Sequence, residues 1–157
     1  MKRRSQGLVL VALLLAMAFA GVVALLGAEG WATALQRERE AELLFAGDQY
    51  RMAIRRYFYA APAGQPRVLP AQLSDLLEDP RYPVPVRHLR RLYPDPVTGS
   101  ADWGLAMNGG RIAGVYIQAD GAPLKQTGFP PADAAFEKSE SYRQWVFLFV
   151  PPASRRR

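Results

Sequence analysis

Few residues in this chain have the type and spacing that chemistry requires. His88, the only histidine, stands in the string VRHLRRL between prolines. That setting reads as a surface or turn histidine, because no partner at catalytic spacing accompanies it. Asp75, Glu78 and Asp79 lie close together, but acids beside a short helix read as a solvated face. The chain has no cysteine, which excludes a thiolate nucleophile, a disulfide framework and any cysteine-ligated zinc or iron–sulfur centre. It carries no glycine-rich phosphate loop, no serine elbow and no metal-spaced histidines. The expectation is therefore a chain without catalytic residues, whose work lies in assembly or contact.

The elements that must position anything in the chain begin with residues 8–28, LVLVALLLAMAFAGVVALLGA, a run without a charged side chain. As a helix it spans roughly 31 Å, the thickness of a bilayer's hydrocarbon core. The remainder of the 157 residues leaves room for one small domain. The net charge of +6 would suit nucleic acid, but its distribution does not. Lys2, Arg3 and Arg4 precede the apolar run, as the positive-inside rule requires of a cytoplasmic end. Arg155, Arg156 and Arg157 form a short basic tail. No basic stripe interleaved with aromatics remains, so no nucleic-acid partner is expected.

Three readings fit the apolar run. A secretory signal peptide would use Ala18-Phe19-Ala20 as its small-x-small cleavage site, although the run continues past it through Val22, Val23, Leu25 and Leu26. An uncleaved single-pass anchor fits the hydropathy equally well. The third reading starts from Arg3-Arg4-Ser5-Gln6-Gly7 followed by Leu8. This resembles the type IV prepilin leader, a short basic peptide ending in glycine directly before an apolar helix. The resemblance implies that a prepilin peptidase cuts between Gly7 and Leu8 and leaves the apolar segment in place. The family usually begins its mature chain with phenylalanine and carries glutamate fifth. Here those positions are Leu8 and Ala12, which puts ordinary assembly into the body of a filament in doubt.

Beyond the run, Leu43, Gly47, Tyr50, Ile54 and Tyr57 recur at spacings of four and three, the period of an amphipathic helix. Arg37, Glu38, Glu42, Gln49, Arg55 and Arg56 occupy its opposite face. No proline interrupts before Pro62. One helix over residues 8–60 would be about 78 Å long. Trp31 suits the headgroup layer, and Gly21, Gly27 and Gly30 are candidate bending points. Tyr50, Tyr57, Phe58 and Tyr59 read as core packing.

The head opens with breakers at Pro62 and Pro66. Leu69-Pro70 then leads into a segment in which Leu73, Leu76 and Leu77 mark a short helical turn before Pro80. The string RRLYPDPVTGSADW comes next. Pro94 and Pro96 hold the chain extended, Asp95 and Thr98 can bond nearby backbone amides, and Gly99 permits a left-handed conformation. Trp103 is expected to bury against the long helix. Strands are expected over 103–107 and 112–118, joined through Asn108-Gly109-Gly110, and over 142–150. Residues 119–141 read as a long loop. In order and spacing, these segments with Leu92, Pro94, Asp95, Pro96, Thr98, Gly99 and Trp103 resemble the type II secretion system pseudopilins, in particular their major G-type subunit. The implied fold is α+β and type IV pilin-like: a long amino-terminal helix, transmembrane in its first half, packed on a small antiparallel sheet of about three strands. The implied organisation is a leader over 1–7, a membrane half over 8–28 and an amphipathic half over 29–61. A loop with a short helix and proline-rich turn over 62–102 and a sheet with its tail over 103–157 complete it.

The resemblance also raises calcium, which G-type pseudopilins hold in a loop after the second strand. Asp120 and Asp133 are available there, but calcium needs six or more oxygens and the acidic, serine-rich loop is missing, so no cofactor or metal is expected. The implied partners are other pseudopilins in a homo- or hetero-oligomeric filament, an inner-membrane secretion platform, the prepilin peptidase and the membrane itself. The implied location is the inner membrane, with the amino terminus cytoplasmic and the head periplasmic. The alternative is a single-pass periplasmic assembly or binding protein that the peptidase does not process.

Overall fold

The computed structural model of the chain describes residues 3–152, with side chains described from Gly7 onward except at 24–29. The side chains at the end of the apolar run are therefore not described, and the tail Arg155–Arg157 lies outside the described residues. The chain divides into two compact units, Met1–Glu38 and Arg39–Arg157. Helix α1, Arg3–Tyr59, runs through the first and into the second.

In the first unit the side chains of Leu8 through Val23 are all exposed, as is Trp31. Among the described residues no helix is long and apolar enough to cross a membrane.

The second unit is α+β, with helix α1 contributing its last turns and a three-stranded antiparallel sheet in the order β1-β2-β3. On α1, Leu43, Ala46, Tyr50, Ala53, Ile54 and Tyr57 are buried, while Arg37, Glu38, Glu42, Arg55 and Arg56 stay exposed and Gln49, expected with them, is half-buried. The three-and-four spacing thus becomes one packed stripe. Of the aromatic cluster, Tyr50 and Tyr57 enter the core, Phe58 is half-buried and Tyr59 is exposed.

Strand β1 is Gly104–Asn108 and β2 is Arg111–Tyr116. Gly109 and Gly110 join them with φ of 59° and 76°, the two left-handed residues that match a tight hairpin to the twist of its strands. Strand β3 is only Phe147–Leu148, which corrects the expectation of a strand over 142–150. Tyr142–Gln144 instead form a 3-10 turn. Tyr142 and Trp145 are both buried three residues apart, a spacing that suits a turn and not a pleat. The loop 119–141 is likewise structured in part, with a 3-10 helix over Pro131–Phe136. Phe136 stacks on Trp145 at 5.6 Å and meets Phe147 edge-on at 5.1 Å between centroids.

The segment between helix and sheet is tied to both. A 3-10 helix spans Leu73–Leu76. The backbone N–H of Ile112 donates to the Pro70 carbonyl at 2.9 Å, and the Arg111 guanidinium donates to Leu69 O at 2.8 Å. At the end of α1, Arg81 Nη2 donates to Tyr57 O at 2.7 Å and the Tyr82 hydroxyl donates to Ala60 O. The open carbonyls of the last turn are thus closed by side chains from a later segment.

Candidate functional site

The polar groups that the second unit takes out of water form three clusters around α1, and they begin with the turn at residues 94–103. Asp95 is buried at 1 % exposure. Its carboxylate accepts the Val97 N–H at 2.8 Å and the Thr98 hydroxyl at 2.5 Å. The Gly99 N–H returns to the Asp95 carbonyl at 2.7 Å, and the Asp95 N–H donates to Ser100 O at 2.7 Å. Gly99 takes φ +74°, which a side chain would strain. Pro94 is exposed and Pro96 half-buried. The turn delivers Trp103 onto α1, where its ring lies 5.1 Å from that of Tyr50. The Trp103 indole N–H donates to Tyr93 O at 2.8 Å. Tyr50 completes the arrangement: its hydroxyl donates to Tyr93 O at 3.0 Å and accepts the Tyr93 N–H at 2.9 Å. Burial pushes the Tyr50 phenol up to about 12.

The second cluster corrects two expectations. His88 is buried, not superficial, and Asp75 and Asp79 are buried, not solvated; Glu78 alone of the three acids is exposed. Asp79 Oδ2 lies 3.0 Å from His88 Nε2 and accepts Arg81 Nη2 at 2.6 Å. Oδ1 accepts the Arg81 Nε–H at 2.8 Å and its backbone N–H at 3.0 Å. Burial works against the charge, but the hydrogen bonds from Arg81 and His88 overcome it and hold the Asp79 carboxyl down at about 2. The same Arg81 guanidinium sits 3.7 Å from the centre of the Tyr57 ring, a close cation–π contact, and its bond to Asp79 raises its own basicity. Asp75 turns inward to accept the N–H groups of Ala71 and Gln72 at 2.9 and 3.2 Å.

The third cluster escaped the sequence reading altogether. Glu40, on α1, is 2 % exposed. Its carboxylate accepts the backbone N–H groups of Leu124 at 2.6 Å and Lys125 at 3.0 Å and the Tyr142 hydroxyl at 2.7 Å. The available signal was its position seven residues before Gly47 and three before Leu43, which puts an acid at the margin of the apolar stripe. Arg51, lower on the same helix, bonds Asp133 at 2.7 Å and Asp48 at 2.5 Å.

Asp120 and Asp133, the oxygens weighed for calcium, are both turned toward arginines. Asp120 pairs with Arg143 at 2.8 Å and Asp133 with Arg51 at 2.7 Å. Among the described residues no group of three or more histidine, cysteine, aspartate or glutamate side chains is placed to hold a metal ion. The carboxylates of these clusters take up backbone amides, hydroxyls and guanidinium groups of their own chain: Glu40 and Asp133 tie residues 124–133 to α1, while Asp75 and Asp95 close their own turns. Gly7 and Leu8 are on α1 in the first unit, and a Cβ at Gly7 would meet nothing within 4 Å.

No family model matches the chain, and neither the curated proteins nor the solved structures contain a match to it.

Proposed function

We propose that this protein is a pseudopilin-like structural subunit of a type II secretion machine or a related type IV pilus-like assembly. The observation that carries the reading is one unbroken helix, Arg3–Tyr59. It bears the apolar run near its start and the buried stripe Leu43–Tyr57 near its end, where a small antiparallel sheet packs. A head of this size has no need of so long a helix for its own core. A subunit that must stand in a membrane and then join neighbours through the same segment does need it. On this reading the apolar run is the membrane anchor and later the assembly surface, the head is periplasmic, and the partners are other pilin-like subunits and an inner-membrane platform. Ala12, where the family places an acid, leaves the anchor without a charge in lipid and favours a minor position in the assembly.

The test is co-expression with a prepilin peptidase. The expected product begins at Leu8 and has lost residues 1–7, and Gly7→Ala blocks the cut. An intact amino terminus under those conditions would move the protein to the alternative, an unprocessed single-pass periplasmic assembly or binding protein. A product beginning after Ala20 would remove both readings.

A further inference from the structure

One flank of α1 carries an unpaired set of cations. Spacings of four, three and four place Phe45, Gln49, Met52 and Arg56 on one stripe of the helix. The Phe45 ring meets the Tyr93 ring edge-on at 5.9 Å. Further along, the Tyr57 ring meets the His88 ring at 5.5 Å. Residues 88–93 therefore run beside the helix from Tyr57 back to Phe45. Arg90 and Arg91 on this stretch and Arg87 just before it are exposed, as is Arg56 on the helix. Among the described residues none of the four is ion-paired. Arg91 lies 5.2 Å from the centre of the Tyr93 ring, which orders a planar guanidinium while its N–H edge stays free. Two exposed apolar side chains accompany these cations on the same helix stripe and the same segment: Phe45 is 57 % exposed and Leu92 40 % exposed.

We propose that this face, formed by Arg56, Arg87, Arg90 and Arg91 around Phe45 and Leu92, docks a short acidic segment of a partner protein. Its carboxylates pair with the guanidinium groups, which match them bidentately, and an apolar side chain between them seats on Phe45 and Leu92. Arginine with an exposed aromatic is the composition that protein interfaces enrich. The face is also bounded. Glu42, exposed on the helix just before Phe45, and Glu78, exposed beyond Leu76 whose carbonyl binds the His88 and Leu89 amides, limit it. A nucleic-acid backbone or a bilayer plane would extend past the cations onto these carboxylates, whereas a segment of a few residues fits between them. The face lies wholly within residues 42–93 and does not depend on how the amino terminus is processed.

The test uses the full chain in zwitterionic detergent micelles and a fluorescein-labelled twelve-residue peptide of glutamates with two central leucines. Fluorescence anisotropy at low salt reads the binding. The triple variant R87E/R90E/R91E is expected to weaken it roughly tenfold or more. The control R67E/K138E/R143E changes net charge equally at exposed cations that are not part of this face and is expected to stay within about twofold of the parent. Circular dichroism confirms that both variants remain folded. Equal loss in both variants, or no peptide binding by the parent chain, would overturn the proposal. So would phosphatidylglycerol vesicles or single-stranded DNA outcompeting the peptide through the same three arginines, which would assign the face to lipid or nucleic acid.

Discussion

Glu40 and Asp79 show how a buried acid differs from the solvated one that a sequence suggests. Each of their oxygens meets a donor, so removal leaves groups that water cannot reach. Glu40→Ala orphans the Leu124 and Lys125 amides and the Tyr142 hydroxyl. It is expected to cost about 2–4 kcal/mol, read as a lower midpoint in denaturant unfolding of the chain in detergent, with Glu40→Gln recovering part of the loss. Asp79 carries a pH signature. Its carboxyl is held at about 2, below the ordinary 3.8, so its contribution is present above pH 3.8 and is lost as the pH falls toward 2. The linkage is worth roughly 2 kcal/mol. Asp79→Asn is expected to lower stability at neutral pH and to flatten the loss between pH 4 and 2, as measured by thermal melts across that range. Neither acid was legible as buried. Glu40 finds its partners 84, 85 and 102 residues away, and a string such as DLLEDP gives no sign that Asp79 will face Arg81 and His88.

Among the elements, α1 was the most legible, because its three-and-four apolar spacing survives directly as the packed stripe. Within that stripe Gly47 has a specific role. A Cβ there would stand 2.3 Å from the ring of Phe147, which is itself fully buried. Alanine would gain about 1 kcal/mol of helix propensity. The overpacking costs more, so Gly47→Ala is expected to destabilise the head by a net 1–2 kcal/mol or so, again read from a denaturation midpoint. The hairpin was legible too, through Asn108-Gly109-Gly110. The third strand was not, because YRQWVFLFV is rich in aromatic and β-branched residues, which fit a strand and a buried turn equally well. The choice was made by distant partners: the Tyr142 hydroxyl reaches Glu40, and the Tyr142 N–H donates to Gly121 O at 3.0 Å. Pairing resumes only at Phe147, opposite Val115.

For the whole molecule, the formal charge of +6 understates how basic the surface is. Glu40, Asp75, Asp79, Asp95 and Asp133 are all buried, so a count of acids includes several that never face solvent. Among the described residues the buried core likewise begins at Glu40. A chain begun at residue 30 is therefore expected to stay soluble without detergent and to melt within a few degrees of the full chain's head, as near-UV circular dichroism would follow. Within that head, the termination of α1 constrains the order of events during synthesis. Tyr57 and Ala60 present their carbonyls to Arg81 and Tyr82, and no left-handed glycine closes the helix locally, since Gly64 is the first positive-φ residue beyond it. Until the chain has emerged as far as Tyr82, that final turn has only water for its oxygens, so it frays and re-forms, and it becomes permanent when the proline-bounded segment folds back over it.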